Sequence, residues 1–381
     1  MKVIYAVGAR LAGGGIGSTA YHAAAGIWHA GALARLLVSS SRPTPIPSSL
    51  IRSMGWAGRA LKRAALWDAS GRIYALGDAL FDLWASRQIM PCDIFHGWSS
   101  MCRRSLPRAR ALGAVTVVER ASSHPLEQDA ILRRLEERYG PCQRPSPWHI
   151  QRALEEFELA DYVAVPSEFA RQSFIQRGFP AHKLLLLPYG VDTARFRPAE
   201  DERSSDHPFR ALFVGQVTAR KGVLELLEAW RRLGWRDAEL WLAGRPDAPT
   251  QRLLRPYAGL PGLRWPGFVP DPVTMYQRAD VFVFPSHEEG SALVTYEAMA
   301  CGLPMITTFQ AGSAARHEQE ALIIPAGDVP ALMEALVRLR EDGSLRRRLG
   351  QAARRRVEDY TWEAYGRRLV QAYAHILGQE P

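Results

Sequence analysis

The chain has 381 residues, of which 47% are hydrophobic and 23% charged, enough for two domains with separate cores and unlike a disordered or fibrous polypeptide. No apolar run approaches the ~18 residues of a membrane-crossing helix, and the four cysteines (Cys92, Cys102, Cys142, Cys301) have neither metal-ligand spacing nor a disulfide framework, so reduced thiols are expected. The net charge of +9 suits anionic ligands or anionic lipid; nucleic acid fits worst, because the densest clusters, Arg346–Arg348 and Arg354–Arg356, share one helical segment without interleaved aromatics.

Val3–Val7 is a short apolar strand, too brief for a secretory signal core, and it leads to the glycine loop Gly13–Gly17 and a helix around Tyr21–His29. Trp56, Lys62, Arg63 and Trp67 open a basic amphipathic stretch that continues through Ile73, Leu80, Phe81 and Trp84. It reads as a helix with its apolar face packed inward, or as one resting on anionic lipid. Leu36–Val38, Ile94–Phe95, Val115–Val118 and Tyr162–Val165 are further strands. Pro198–Pro208 is linker-like, after which the pattern restarts: strand Ala211–Val214, a glycine loop, and a helix near Val223–Trp230. Two such halves predict an α/β chain of two Rossmann-like, doubly wound domains facing across a ligand-binding cleft. A dinucleotide reading of the first glycine loop lacks the acidic residue it needs, since the second strand runs out through Ser39-Ser40-Ser41-Arg42.

Pro285–Pro304 is the most informative segment. Strand Val281–Phe284 enters a polar turn, His287-Glu288-Glu289-Gly290-Ser291, and a helix-forming run, Ala292–Ala300, ends at Gly302. The N–H groups of Gly290, Ser291, Ala292 and Leu293 at such a helix start suit an anion such as a pyrophosphate. Glu289 at the mouth and Glu297 on the helix could hold the hydroxyls of a sugar and of a ribose. A glycosidase acid–nucleophile pair is the rival reading, disfavoured because two carboxylates on one loop and its helix do not flank a scissile bond.

This segment resembles the Glu-x7-Glu signature of the family 4 retaining glycosyltransferases, which have the GT-B fold. Leu187-Pro188-Tyr189-Gly190-Val191-Asp192 through Phe196-Arg197-Pro198 resembles the family's interdomain segment. Phe213-Val214-Gly215 through Arg220-Lys221-Gly222 resembles its donor-phosphate loop, Trp265-Pro266-Gly267-Phe268-Val269 the turn facing the base, and Tyr360-Thr361-Trp362 the start of its final helix. The resemblance implies an acceptor domain over 1–195, a donor domain over 196–360 and a helix, 361–381, crossing back to the first domain. It implies a retaining transfer of a sugar from a nucleoside diphosphate to an acceptor hydroxyl, with no other cofactor, in the cytoplasm or at the inner face of the membrane. Lys221 and Arg220 would meet the phosphates, with Gly215 and Gln216 beside them, although the family commonly has Arg where Gln216 stands. Val269 would face the base, Glu289 the donor sugar and Glu297 the ribose. Gly14, Gly15 and Gly17 would lie over the phosphates, and either His124 or His96 would take the place of the histidine the family often carries near the sugar. The chain contains no Asp-x-Asp pair, so fixed cations are expected to do a metal's work. A nucleotide-sugar hydrolase or epimerase, or a silent nucleotide-sugar binder, remains open on the same scaffold. Uridine and guanosine donors both fit.

Overall fold

Short runs rich in Val, Ile, Leu and Phe, three to nine residues long and mostly followed by a loop and a helix, form two wholly parallel sheets in the computed structural model, which describes residues 1–58, 60, 72–200 and 207–379. The first sheet contains β1 (Val3–Leu11), β2 (Leu33–Ser41), β3 (Ile51–Ser53), β4 (Ile94–Trp98), β5 (Val115–Glu119), β6 (Tyr162–Val165) and β7 (Leu184–Leu186), in the order β3-β2-β1-β4-β5-β6-β7. The second contains β8 (Phe209–Val214), β9 (Ala238–Ala243), β10 (Leu263–Gly267), β11 (Val281–Phe284), β12 (Met305–Thr308) and β13 (Ala321–Ile324), in the order β10-β9-β8-β11-β12-β13. In each sheet the chain reverses its winding beside the first strand, which makes a crevice at the carboxyl ends of the strands. The architecture is two Rossmann-like domains, as expected.

Helices cover both sheets because a parallel strand buries both faces. In the first domain these are α1 (Ile16–His29), α2 (Arg72–Gln88), α3 (Ser105–Ala111), α4 (Pro125–Tyr139), α5 (Pro147–Leu159) and α6 (Glu168–Gln176). In the second they are α7 (Val223–Leu233), α8 (Ala248–Leu253), α9 (Val273–Arg278), α10 (Leu293–Ala300), α11 (Val329–Glu341) and α12 (Gly343–Val357), before α13 (Trp362–Ile376) closes the chain. Each domain has its own apolar core. Tyr365, Leu369 and Tyr373 of α13 belong to the core of the first domain, where α13 lies against α1. Gly26 and Gly366 make that approach possible: a Cβ added at Gly26 would lie 2.5 Å from Gly366 Cα.

Several expectations change. β1 continues to Leu11 because Arg10 and Leu11 pair with Ser40 and Ser41 of β2 beyond an irregularity after Val7. Trp265–Gly267 is the end of strand β10 rather than a turn, with Gly267 paired to Ala243. β3, β7, β9, β10, β12 and β13 were not anticipated; β3 and β7 have three residues each, too few for periodicity to register. In α2 the described side chains favour inward packing, with Phe81 and Ala85 buried. Lys62, Arg63, Trp67 and part of the linker segment lie outside the described residues. No helix among the described residues is long and apolar enough to cross a membrane.

Candidate functional site

β11 delivers the chain to the cleft at Phe284, and the loop Pro285–Ala292 turns it into α10. The loop is pinned from below: Glu289 N–H donates to Gln310 O at 3.0 Å, and Ala292 N–H to Ala311 O at 3.0 Å. Ala292 therefore does not offer a free donor, a correction to the sequence expectation. Gly290 and Ser291 N–H have no protein partner among the described residues and remain available to an anion. Leu293, the first residue of α10, is half-buried against the core of the first domain.

Two cations converge on one carboxylate beside these donors. Glu289 Oε1 lies 2.8 Å from Lys221 Nζ and 2.9 Å from Arg220 NH1. Burial alone would raise the Glu289 pKa, but the Lys221 ammonium and the Arg220 guanidinium outweigh it and hold the carboxyl below its usual range. Both cations come from a single 3-10 turn, Ala219–Lys221, at the end of the β8 loop. Gly215, at φ 146°, adopts a backbone conformation that favours glycine, and the Lys221 stem runs beside it in ordinary contact, 3.6 Å from where a Cβ would lie. The ammonium then sits 5.0 Å from the centre of the Phe284 ring. Gln216 is exposed on the same loop. On the outer side, Glu297 accepts a 2.8 Å hydrogen bond from Tyr276 Oη, and burial raises its pKa more than that bond lowers it. Val269 is half-buried against the second core, next to Phe268, whose exposed ring has the Arg245 guanidinium 5.7 Å from its centre.

The first domain closes over this surface. A Cβ on Gly290 would lie 1.9 Å from Ala121 O, and Ser167 Oγ donates to Gly290 O at 2.5 Å. Between the domains lies a cavity of about 380 Å³ bordered by Ser122, Gln128, Gln216, Thr218, Arg220 and Glu289. Gly14 and Gly15 border open space, and Gly15 uses its freedom at φ 58° to start α1. Gly17 is fixed by close packing. It packs on the backbone, where a Cβ would lie 2.1 Å from Arg10 O.

Both candidate histidines are engaged by protein groups. His96 is fully buried in β4, with Nε2 3.1 Å from Glu119 Oε2 and Nδ1 2.7 Å from Tyr373 Oη. Glu119 also accepts from Tyr5 (2.9 Å) and Tyr189 (3.0 Å), so His96 belongs to a polar core network that ties α13 to the first sheet. His124 caps α4 by accepting from Leu126 N–H at 3.3 Å and packs edge-on against Phe174. Burial, together with Arg120 and Arg177, pushes its pKa down to about 4, which suits a neutral cap. The residue the sequence reading passed over is Glu288. It is wholly buried and meets Ser122, Ser123 and Gln128 of the first domain. Its only sequence signal is a charged residue next to Glu289.

Residues 208–342 match the family model described as Glycosyl transferases group 1. The capsular polysaccharide biosynthesis glycosyltransferase CapM of Staphylococcus aureus is 30% identical over 229 residues, covering 55% of this chain and 60% of that protein. A D-inositol 3-phosphate glycosyltransferase of Salinispora arenicola is 30% identical over 218 residues, covering 49% of this chain and 48% of that one. The chain thus spans about half to three-fifths of the length of these relatives. Among solved structures, sucrose-phosphate synthase from Thermosynechococcus elongatus superposes at a TM-score of 0.69 with 19% identity, covering 99% of this chain and 100% of that one. HepE of Anabaena, solved in complex with UDP, gives a TM-score of 0.68 with 14% identity over 98% of this chain and 100% of that one. At these identities the structural likeness speaks for the fold.

Proposed function

We propose, from the match of residues 208–342 to the group 1 glycosyl transferases and from the GT-B fold, that the cleft moves a sugar from a nucleoside diphosphate to an acceptor hydroxyl with retention of configuration. The observation that carries this reading is the cluster of Lys221, Arg220 and Glu289 beside the free N–H groups of Gly290 and Ser291. In that arrangement Lys221 and Arg220 meet the diphosphate, and Glu289, released from them, accepts hydrogen bonds from the sugar. Glu297 serves the ribose. The departing diphosphate is stabilised by fixed cations and the start of α10, electrostatic preorganisation that needs no metal. The leaving phosphate itself accepts the acceptor's proton on the face it departs from. The cavity at Gln128 and Gln216 has room for sugar beyond Glu289. Free thiols at all four cysteines support a reducing compartment, the cytoplasm.

A thermal-shift panel in EDTA with UDP, GDP, ADP and NADP tests this. Selective binding at a hundredfold excess over Kd stabilises by roughly 2.7 kcal/mol. One nucleoside diphosphate should raise Tm and thereby name the donor base. A shift with NADP alone, or with none of the four, overturns the proposal.

A further inference from the structure

Glu288 has no part in the chemistry above, yet its carboxylate is fully buried and joins the two domains. Oε1 accepts from Ser122 Oγ (2.7 Å), Ser123 Oγ (2.8 Å) and Ser123 N (3.2 Å), and Oε2 from Gln128 Nε2 (3.1 Å). All four donors belong to the first domain. Arg120 NH2 donates to Gln128 Oε1 at 2.8 Å, which fixes the amide with its N–H side toward Glu288. From its own domain Glu288 has Arg220, which approaches Oε2 at 3.5 Å and also donates to the Glu288 carbonyl. The same guanidinium binds Glu289.

We propose that Glu288 is a positioning residue, an interdomain clasp that shuts the cleft and sets the Arg220 guanidinium. A buried carboxylate persists only while donors satisfy it. With the cleft shut, four first-domain donors do so, and Arg220 is free to be shared with Glu289 and an incoming anion. With the cleft open those donors leave together, and the Glu288 charge falls on Arg220, competing with the anion for it. Closure and anion binding at Arg220 are thereby coupled. The statement about the anion rests on the donor reading above; the statement about closure does not.

Two measurements on the full chain separate these. Small-angle scattering of ligand-free protein should give a larger radius of gyration for Glu288→Gln than for the native chain, with circular dichroism unchanged. Superimposable scattering curves overturn the clasp, whichever nucleotide binds. With the nucleoside diphosphate sugar chosen from the thermal-shift panel, Glu288→Gln should lower kcat about tenfold or more, the worth of one charge-assisted hydrogen bond, while donor KM moves less than about threefold. Gln128→Ala reaches the clasp from the other domain and should reproduce both effects. The double variant should be no worse than the poorer single one, because both remove the same contact. Additive losses, or a rise in KM alone, would make Glu288 an ordinary structural residue. Should Glu288→Gln fail to fold, Gln128→Ala and Ser122→Ala carry the same scattering test.

Discussion

Gly290→Ala isolates how tightly the two domains must meet. The added Cβ would sit 1.9 Å from Ala121 O, 2.3 Å from Ala121 C and 2.6 Å from Ser122 N, all backbone atoms of the opposite domain. A real Cβ essentially never approaches closer than 3.0 Å, so the contact is more than 1 Å too short and no side chain can turn aside to relieve it. Gly290 has no positive φ, so alanine suits its backbone and neither domain should lose its fold. The strain is relieved at the interface instead, by shifting the segment Ala121–Ser123 away from Glu289. A displacement of about 1 Å from the productive geometry costs about a hundredfold in rate, or about 2.7 kcal/mol in the barrier. We expect kcat for nucleoside diphosphate release to fall by about that factor. Affinity for the nucleoside diphosphate should stay within about threefold of the native value, since the N–H groups at the start of α10 remain in place. Native turnover in Gly290→Ala would refute the reasoning, because it would mean the domains do not close on Gly290 during reaction. A Tm collapse would place the clash inside a folding unit rather than between two.

Lys221→Ala removes the cation 2.8 Å from Glu289 and should cut kcat by about a hundredfold or more, as loss of a preorganised charge does; an unimpaired variant would put the phosphate site elsewhere. His124 has a folded pKa of about 4 against 6.5 when unfolded, so the stability it contributes is present above pH 6.5 and lost as the pH falls from there toward 4. Converted at about 1.4 kcal/mol per unit this is about 3 kcal/mol, which solvent screening trims to about 2. Urea titrations should therefore show a shallower acid loss in His124→Asn, which retains an N-cap; equal slopes would disprove it. Tyr276→Phe deletes the 2.8 Å donor to Glu297 and should cost about 1–3 kcal/mol in urea unfolding, the penalty of a polar group left without its partner; a change under about 0.5 kcal/mol would show that water replaces the hydroxyl.

The sequence by itself determined the parts written over short distances. Strand, glycine loop and helix succeed one another within about thirty residues, so Val3–Val7, Ala211–Val214 and Val281–Phe284 could be read from their apolar runs and the punctuation that follows. The Glu-x7-Glu spacing and the Arg220–Lys221 pair are likewise local, with Glu289, Arg220 and Lys221 on loops at the carboxyl ends of strands and Glu297 on the helix that follows, as doubly wound topology requires. Tertiary structure alone decided which polar groups are used up. His96 and His124 look equally available in the sequence, yet one is consumed by Glu119 and Tyr373 and the other by the start of α4. Ala292 N–H is taken by Ala311, and Gly17 is packed so closely on the carbonyl of Arg10 that no side chain fits there. Glu288 meets Ser122 across 166 residues of chain, a pairing no local pattern encodes. The reason is physical: secondary structure follows from spacing along the chain, whereas the fate of a buried donor or carboxylate depends on which partner the folded domains bring to it.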